Sequence, residues 1–312
     1  MRFFIVVFLV FSGVVGSRAT LDLEYFIPHT EETLRKYKHD VPSISFDELP
    51  KKFDAREKWP ECLSLRTVLS QKQCGGCWAF ATSSVLSDRL CVASNGSVNV
   101  ILSADHLVSC CGHKCSRSPA GGCRGGRHKS GYEWMIKHGL VTGGTYESQY
   151  GCQPYVYGPC EGCGKSKWPT PKCVHHCTTD WNIPYEQDKH YGKKYIALSS
   201  DVTHIMKEIY VNGPVSANII THEKFHYLED GVYKVTKHDK PRGNHAIKII
   251  GWGRQNDEDY WLIQNSWGNE WGVNGKMKYY SEKSTLIGSR KNQIGSRVVF
   301  PIGIKYISKY SC

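Results

Sequence analysis

One cysteine stands where its thiol could act as a nucleophile. Cys77 opens a stretch that predicts a helix, because no Pro or Gly follows until Gly96 and apolar residues recur at roughly helical spacing. A thiol at a helix N-terminus faces unpaired backbone N–H groups and the positive end of the helix dipole, and both stabilise the thiolate. Thiolate is the form that attacks a carbonyl carbon. The alternative is that Cys77 is one more disulfide partner, since the chain has 14 Cys.

The motif around Cys77 favours the nucleophile. Residues 74–80 read Cys-Gly-Gly-Cys-Trp-Ala-Phe, which resembles the nucleophile motif Cys-Gly-Ser-Cys-Trp-Ala-Phe of papain-like cysteine peptidases. The resemblance runs from about residue 49 to residue 299, and its details point to the cathepsin B type within that family. Further ordered matches lie at residues 53–60, 109–112, 143–148, 187–192 and 213–215. Residues 260–272 also resemble a motif of cathepsin B-like enzymes of blood-feeding worms, which implies dietary protein as substrate.

This resemblance implies partners for the thiol. His245 matches the family's catalytic histidine, a base that takes the thiol proton and returns it to the leaving amine. Asn265 matches the residue that orients the imidazole, and Trp267 the indole that shields this bond and lines the primed, leaving-group side of the cleft. Gln71, six residues before Cys77, matches the oxyanion-hole side chain. Alone, His245 would more often be structural and Gln71 a surface residue; the ordered Cys, His and Asn pattern favours catalysis.

The substrate-binding positions match the family in one place and depart from it in two. Gly125 and Gly126 match a glycine pair whose backbone binds extended substrate, although an ordinary turn is the alternative. Arg297 stands where mammalian cathepsin B has a Glu that accepts Arg at P2, so the resemblance implies that Arg is disfavoured there. The segment at residues 159–164 is shortened relative to the occluding loop of cathepsin B, and it lacks that loop's His pair. His175 and His176 are adjacent but lie in a different context, so we expect endopeptidase activity with reduced carboxydipeptidase activity.

The N-terminus predicts export. Residues 3–15 are almost wholly apolar, which is too short for a bilayer span of about 20 residues and typical of a signal-peptide core. We assign residues 1–19 to a signal peptide, 20–48 to a short propeptide by resemblance, and 49–312 to the peptidase domain. We therefore expect a secreted protein or one delivered to a lysosome-like acidic vesicle, with no membrane insertion.

The cysteines and one Asn agree with an oxidising compartment. Resemblance to cathepsin B leaves Cys77 outside any bridge and implies six disulfides: Cys62–Cys91, Cys74–Cys123, Cys110–Cys173, Cys111–Cys115, Cys152–Cys177 and Cys160–Cys163. A zinc site in the cluster at residues 110–123 is the alternative, which a secreted context disfavours. Asn95 begins an Asn-Gly-Ser glycosylation sequon.

The basic charge does not indicate a nucleic-acid partner. The formal net charge is +11, but the positive residues are scattered and accompany no nucleic-acid motif. The expected partners are protein or peptide substrates and cystatin-type inhibitors. No metal or organic cofactor is expected.

The secondary-structure signals divide the chain into a mainly helical first part and a strand-rich second part. Helices are predicted from Cys77, from Ser103, at residues 130–138 before Gly139, and through Ile205 to a stop at residues 212–213. Short strands are predicted at residues 215–220, 231–235, 246–250 and 260–263. The fold class is α+β: a papain-like fold with a helical left lobe, a β-barrel-like right lobe and the active-site cleft between them.

Together these features predict a cysteine endopeptidase of the cathepsin B type that digests proteins extracellularly or in acidic vesicles. The alternative is a catalytically weak or inactive papain-like binding protein.

Overall fold

A computed structural model describes residues 42–116, 118–119, 121–159, 168–198, 201–228 and 230–280, and it describes the backbone course of residues 298–305 as a strand. Six α-helices lie in these ranges: α1 Ala55–Lys58, α2 Leu63–Arg66, α3 Cys77–Ala93, α4 Ala104–Cys110, α5 His128–His138 and α6 Val202–Asn212. Short 3-10 helices occupy Gly112–Lys114, Gly122–Arg124 and Glu223–Tyr227. The four predicted helices are confirmed, and α5 begins two residues earlier than expected.

The helix ends follow local chemistry. Ser103 caps α4 by accepting a hydrogen bond from the backbone N–H of His106 at 2.9 Å. Asp201 caps α6 in the same way through His204 N–H, at 3.0 Å. Gly139 and Gly213 end α5 and α6 with φ of 73° and 92°, a conformation that favours glycine.

Eight strands form one sheet in the described part of the chain: β1 Phe53–Asp54, β2 Tyr191–Leu198, β3 Val215–His222, β4 Val232–Tyr233, β5 Pro241–Gln255, β6 Glu258–Gln264, β7 Lys276–Tyr280 and β8 Val298–Lys305. The order is β2-β8-β3-β5-β6-β7-β4, with β1 paired to β5. Strand β5 is central, because it pairs antiparallel with β3 on one side and β6 on the other.

The predicted strands are present, with two differences. The strand expected at residues 231–235 is only Val232–Tyr233, and β5 extends well beyond residues 246–250 in both directions. Strand β1 lies in the half predicted to be helical yet pairs with β5, with Phe53 opposite Trp252. Two residues are too few to show alternation, so no sequence pattern could identify β1.

Helix α3 is the core of the helical part. Thirteen of its 17 residues are buried, including several Ser and Thr. The hydroxyls of Ser84 and Ser87 donate to the carbonyls of Phe80 and Ser83, one turn back, at 2.7 and 2.9 Å, so these polar groups are satisfied within the helix.

Candidate active site

Cys77 is the first residue of α3 and is partly exposed. Within the described residues it is the one cysteine outside any disulfide. Gly76 precedes it as N-cap and contributes no capping side chain. A Cβ at position 76 would lie 3.1 Å from Cys74 Sγ and 3.1 Å from Val108 Cγ2, so the turn into the helix is closely packed. The thiol therefore lies at the positive end of a long, buried helix, which stabilises its thiolate form.

Covalent and backbone links hold the loop that leads to Cys77. Cys74 is bonded to Cys123, and the backbone N–H of Gly75 donates to the Cys123 carbonyl at 2.8 Å. Four further predicted bridges are present: Cys62–Cys91, Cys110–Cys173, Cys111–Cys115 and Cys152–Cys177. The sixth, Cys160–Cys163, lies outside the described residues.

His245 and Asn265 form a hydrogen-bonded pair. His245 lies on β5, Asn265 directly follows β6, and both are buried. The distance from His245 Nε2 to Asn265 Oδ1 is 2.7 Å. The backbone N–H of Ser266 also donates to Oδ1, at 2.7 Å, which identifies this amide atom as the oxygen. Because an oxygen only accepts here, Nε2 carries the proton, and Nδ1 of the neutral ring is left as the basic atom.

Aromatic rings exclude water from this pair. The centroid of the Trp267 ring lies 4.8 Å from that of His245, and Phe225 contacts both rings, at 6.1 Å from His245 and 5.4 Å from Trp267. Burial lowers the pKa of His245 to about 4, while the bond to Asn265 acts in the opposite direction by favouring the imidazolium.

Gln71 connects the loop before Cys77 to Ser266, the residue that follows Asn265. Its Oε1 accepts a hydrogen bond from Ser266 Oγ at 2.7 Å, and its Nε2 donates to the Cys74 carbonyl at 2.9 Å. The backbone N–H of Gln71 donates to the Ser266 carbonyl at 2.8 Å, and Ser70 forms a β-bridge with Trp267. A primary amide nitrogen has two N–H groups, so Gln71 Nε2 keeps a second N–H after the first has bonded to the Cys74 carbonyl.

The two glycines at 125 and 126 are needed for different reasons. Gly125 has a φ of +100°, a left-handed conformation that side chains rarely adopt, and nothing lies within 4 Å of a Cβ added there. A Cβ on Gly126 would lie only 2.3 Å from the indole of Trp78, the residue after Cys77. The Trp78 Nε1–H in turn donates to the Gly122 carbonyl at 3.0 Å. This segment therefore packs directly against the start of α3.

Other predicted site residues lie elsewhere. Asn95 is exposed in a turn with a φ of 49°, which leaves its side chain accessible. His175 contacts Tyr185 OH at 3.2 Å, and His176 contacts the Cys177 carbonyl at 3.1 Å, beside the Cys152–Cys177 bridge. Arg297, the signal peptide and most of residues 20–48 lie outside the described residues, as do residues 160–167 of the segment compared with the occluding loop.

Sequence reasoning missed two contributors to this site, Ser266 and Phe225. Ser266 is part of the Asn-Ser-Trp-Gly motif, and a hydroxyl there indicates a possible hydrogen bond. Only the fold shows that its partner is Gln71. Phe225 had no signal at all, because it reaches the site from a short 3-10 helix.

In the described residues no group of three or more His, Cys, Asp or Glu could hold a metal ion.

Comparison with known proteins decides the family. The model of the papain family of cysteine proteases matches residues 49–302. The chain belongs to the papain family. Its α+β architecture is that family's fold, and the chain is a cysteine peptidase that acts on proteins or peptides.

Relatives of this papain-family protease include a cathepsin B-like and a gut-specific cysteine proteinase. Cathepsin B-like cysteine proteinase 5 of Caenorhabditis elegans is 42% identical over 273 residues, which cover 84% of this chain and 77% of the relative. The gut-specific cysteine proteinase of the same species is 40% identical over 262 residues, covering 83% of this chain and 76% of the relative.

Solved structures agree with these relatives. A procathepsin B of Trypanosoma congolense is similar with a TM-score of 0.69 and 30% identity, covering 90% of this chain and 82% of that one. Procathepsin L 3 of Tenebrio molitor has a TM-score of 0.59 at 22% identity, covering 89% of this chain and 74% of that one, and shares the fold. Over the described residues, the helices of this protease are too short or too polar to cross a bilayer.

Proposed function

We propose that this papain-family protease is a cathepsin B-like endopeptidase with Cys77 as nucleophile, His245 as general base and acid, Asn265 as the residue that orients His245, and Gln71 as an oxyanion donor. The observation that carries the proposal is the 2.7 Å contact of His245 Nε2 with Asn265 Oδ1. That contact occupies one ring nitrogen and leaves the other, Nδ1, to exchange a proton with the thiol.

The reaction follows from these roles. Nδ1 of His245 takes the proton of Cys77, and the thiolate attacks the peptide carbonyl carbon. The carbonyl oxygen becomes an oxyanion, which receives hydrogen bonds from Gln71 Nε2 and the Cys77 backbone N–H. The C–N bond then breaks as the imidazolium gives its proton to the leaving amine. Water, deprotonated by His245, attacks the thioester and releases the acid product.

Endopeptidase action is the preferred mode because the chain lacks the His pair of the cathepsin B occluding loop in the shortened segment at residues 159–164. Without those cations a substrate's C-terminal carboxylate has no anchor in that segment. We assign residues 20–48 to a propeptide. We also expect cystatin-type proteins to inhibit the enzyme. We place the enzyme outside the cell or in acidic vesicles, supported by a gut-specific proteinase among its relatives.

The decisive experiment measures hydrolysis of a fluorogenic dipeptide and of a long unstructured protein at about pH 5.5, within the range in which an imidazole can exchange protons. Cys77→Ala should abolish both reactions, and His113→Gln, which changes an exposed histidine of the helical part, should leave both intact. An epoxide inhibitor should modify the wild type at Cys77 alone. A folded wild type that is neither active nor modified would support the alternative, an inactive papain-like binding protein. Release of C-terminal dipeptides at a rate comparable to internal cutting would refute the endopeptidase assignment.

A further inference from the structure

An exposed histidine lies next to the candidate catalytic rings. His226 belongs to the 3-10 helix Glu223–Tyr227, and its ring lies flat on Trp267, with centroids 4.9 Å apart and an interplanar angle of 14°. Trp267 also contacts the ring of His245, with centroids 4.8 Å apart. The three rings form a continuous row, with His226 at its solvent-exposed end.

The stacking leaves His226 able to bind an anion. Contact with Trp267 uses the face of the imidazole, whereas both N–H donors of an imidazolium lie on its edge. An indole face also favours a cation placed within about 6 Å of its centroid. The arrangement therefore fixes the plane of the ring and leaves its hydrogen-bond donors to solvent or to a ligand.

The charges around His226 do not neutralise it. Glu223 pairs with Arg242, and Lys224 pairs with Asp239 at 3.2 Å, so the nearby charges on its own helix and on the facing strand and turn are already matched. The other packed neighbours, Phe225 and Trp267, carry no charge. Among the described side chains no carboxylate contacts His226, Glu270 of the turn after Trp267 included. Among the described residues His226 has no ion pair with a carboxylate, and a positive charge on its ring lowers the pKa of His245.

The position of His226 relative to the substrate follows from the reaction proposed above. The leaving amine must take its proton from His245, so the residues on the leaving-group side of the scissile bond pass beside this ring. His226 is separated from His245 only by the Trp267 indole. A carboxylate on that side of the substrate would meet the imidazolium edge of His226.

We propose that His226 is a specificity-determining residue, which binds a carboxylate on the leaving-group side of the substrate through its ring stacked on Trp267. This inference rests on the proposed peptidase function and adds a substrate preference to it. The carboxylate has two sources: an Asp or Glu side chain at P1′, the first residue after the scissile bond, or the C-terminal carboxylate of a short leaving group.

The test compares kcat/KM for matched quenched peptides at about pH 5.5 and about pH 7.5, a range over which imidazole changes charge. One pair differs only by Glu or Gln at P1′, and a second pair ends two residues after the scissile bond in a free acid or an amide. Because each ratio is taken at one pH, the shared titration of Cys77 and His245 cancels. An exposed ion pair contributes about 0.2–1 kcal/mol, so we expect an about 1.4- to fivefold preference for the charged peptide at the lower pH.

Three variants decide the outcome. His226→Gln should remove the preference, so that the affected ratio of charged to neutral peptide falls to about one. Ratios are compared and not absolute rates, because His226 also lowers the pKa of His245. His226→Lys should keep the preference at both pH values, because lysine stays charged. His113→Gln, an exposed histidine far along the chain, should behave like wild type.

The two sources of the carboxylate give different results. Loss of the Glu/Gln ratio alone in His226→Gln assigns the P1′ side chain, and loss of the acid/amide ratio alone assigns the C-terminal carboxylate. If both ratios in His226→Gln equal those of wild type, the proposal is wrong. If the wild type cleaves no peptide, including the neutral ones, the peptidase assignment itself has failed instead.

Discussion

The ammonium of Lys248 lies 2.7 Å from the carboxylate of Asp88, and both side chains are almost fully buried. Asp88 belongs to α3, which begins at Cys77, and Lys248 follows His245 by three residues on β5. The ion pair therefore joins the helix of the proposed nucleophile to the strand of the proposed base. Burial raises the pKa of Asp88, and the charge of Lys248 opposes that rise.

Removing one member of this pair should destabilise the protein strongly. Lys248→Met leaves the Asp88 carboxylate buried without its counter-charge, which costs about 3–5 kcal/mol of unfolding free energy. Urea denaturation at neutral pH measures the loss. The double variant Asp88→Asn with Lys248→Met should recover most of it, because no uncompensated charge remains. The matched control Lys129→Met removes one member of the exposed Lys129–Glu133 pair and should cost less than about 1 kcal/mol.

The same variant should show a characteristic pH dependence. Without Lys248 the folded-state pKa of Asp88 rises further above its unfolded value, so the folded state binds the proton more tightly than the unfolded state. The deficit of Lys248→Met should therefore be small below the unfolded pKa of an Asp, about 3.9, and grow as the pH rises towards the folded value. A deficit that is constant between acidic and neutral pH would contradict this account.

The amide of Gln71 should act on the transition state. Gln71→Ala removes a proposed oxyanion donor, and we expect kcat to fall by about 10²–10³-fold with a small change in KM. Ser266→Ala keeps that donor but removes the 2.7 Å bond that holds Gln71 Oε1, so its loss in kcat should be clearly smaller. Steady-state kinetics on one peptide distinguish the two variants. Equal losses in both, or a change in KM alone, would show that Gln71 does not stabilise the oxyanion.

Asn265 should control the protonation of His245. Asn265→Ala removes the bond that raises the pKa of His245, so the pKa falls below its value of about 4 and the imidazolium becomes harder to form. A thiolate paired with that imidazolium should then be less populated, and alkylation of Cys77 by iodoacetamide at about pH 5 should slow about tenfold, one pKa unit of change. Asn269→Ala, which changes an exposed amide in the turn four residues further along, is the control and should alkylate at the wild-type rate.

The glycines at 125 and 126 should respond differently to an added methyl group. Gly126→Ala forces a Cβ into the indole of Trp78 and should destabilise the protein by about 1–3 kcal/mol, with an additional loss of activity because Trp78 follows Cys77. Gly125→Ala meets no atom within 4 Å but has a φ of +100°, so the expected cost is about 1–2 kcal/mol of backbone strain. Thermal unfolding and kcat/KM measured together separate the two effects. Wild-type activity in Gly126→Ala would show that this contact does not position the site.

Local patterns predicted the elements whose signals are strong. The apolar spacing from Trp78 to Leu90 without Pro or Gly predicted α3, and Gly139 and Gly213 marked two helix ends correctly because glycine adopts a positive φ there. Strands β2, β7 and β8 were not predicted, and β1 is too short to carry a pattern. The pairing of cysteines came from the family resemblance, since spacing permits many connectivities.

The sequence by itself determined the motifs: a cysteine at a helix start, a histidine before an apolar strand, and an Asn-Ser-Trp-Gly segment, each recognisable because its residues are neighbours along the chain. The tertiary structure alone decided which distant groups meet. Ser266 holds Gln71, Lys248 faces Asp88, and His226 stacks on Trp267 across 195, 160 and 41 positions of the chain respectively. Such contacts depend on the packing of a 3-10 helix, a sheet and a buried helix, and no local spacing in the chain encodes a distance between side chains so far apart.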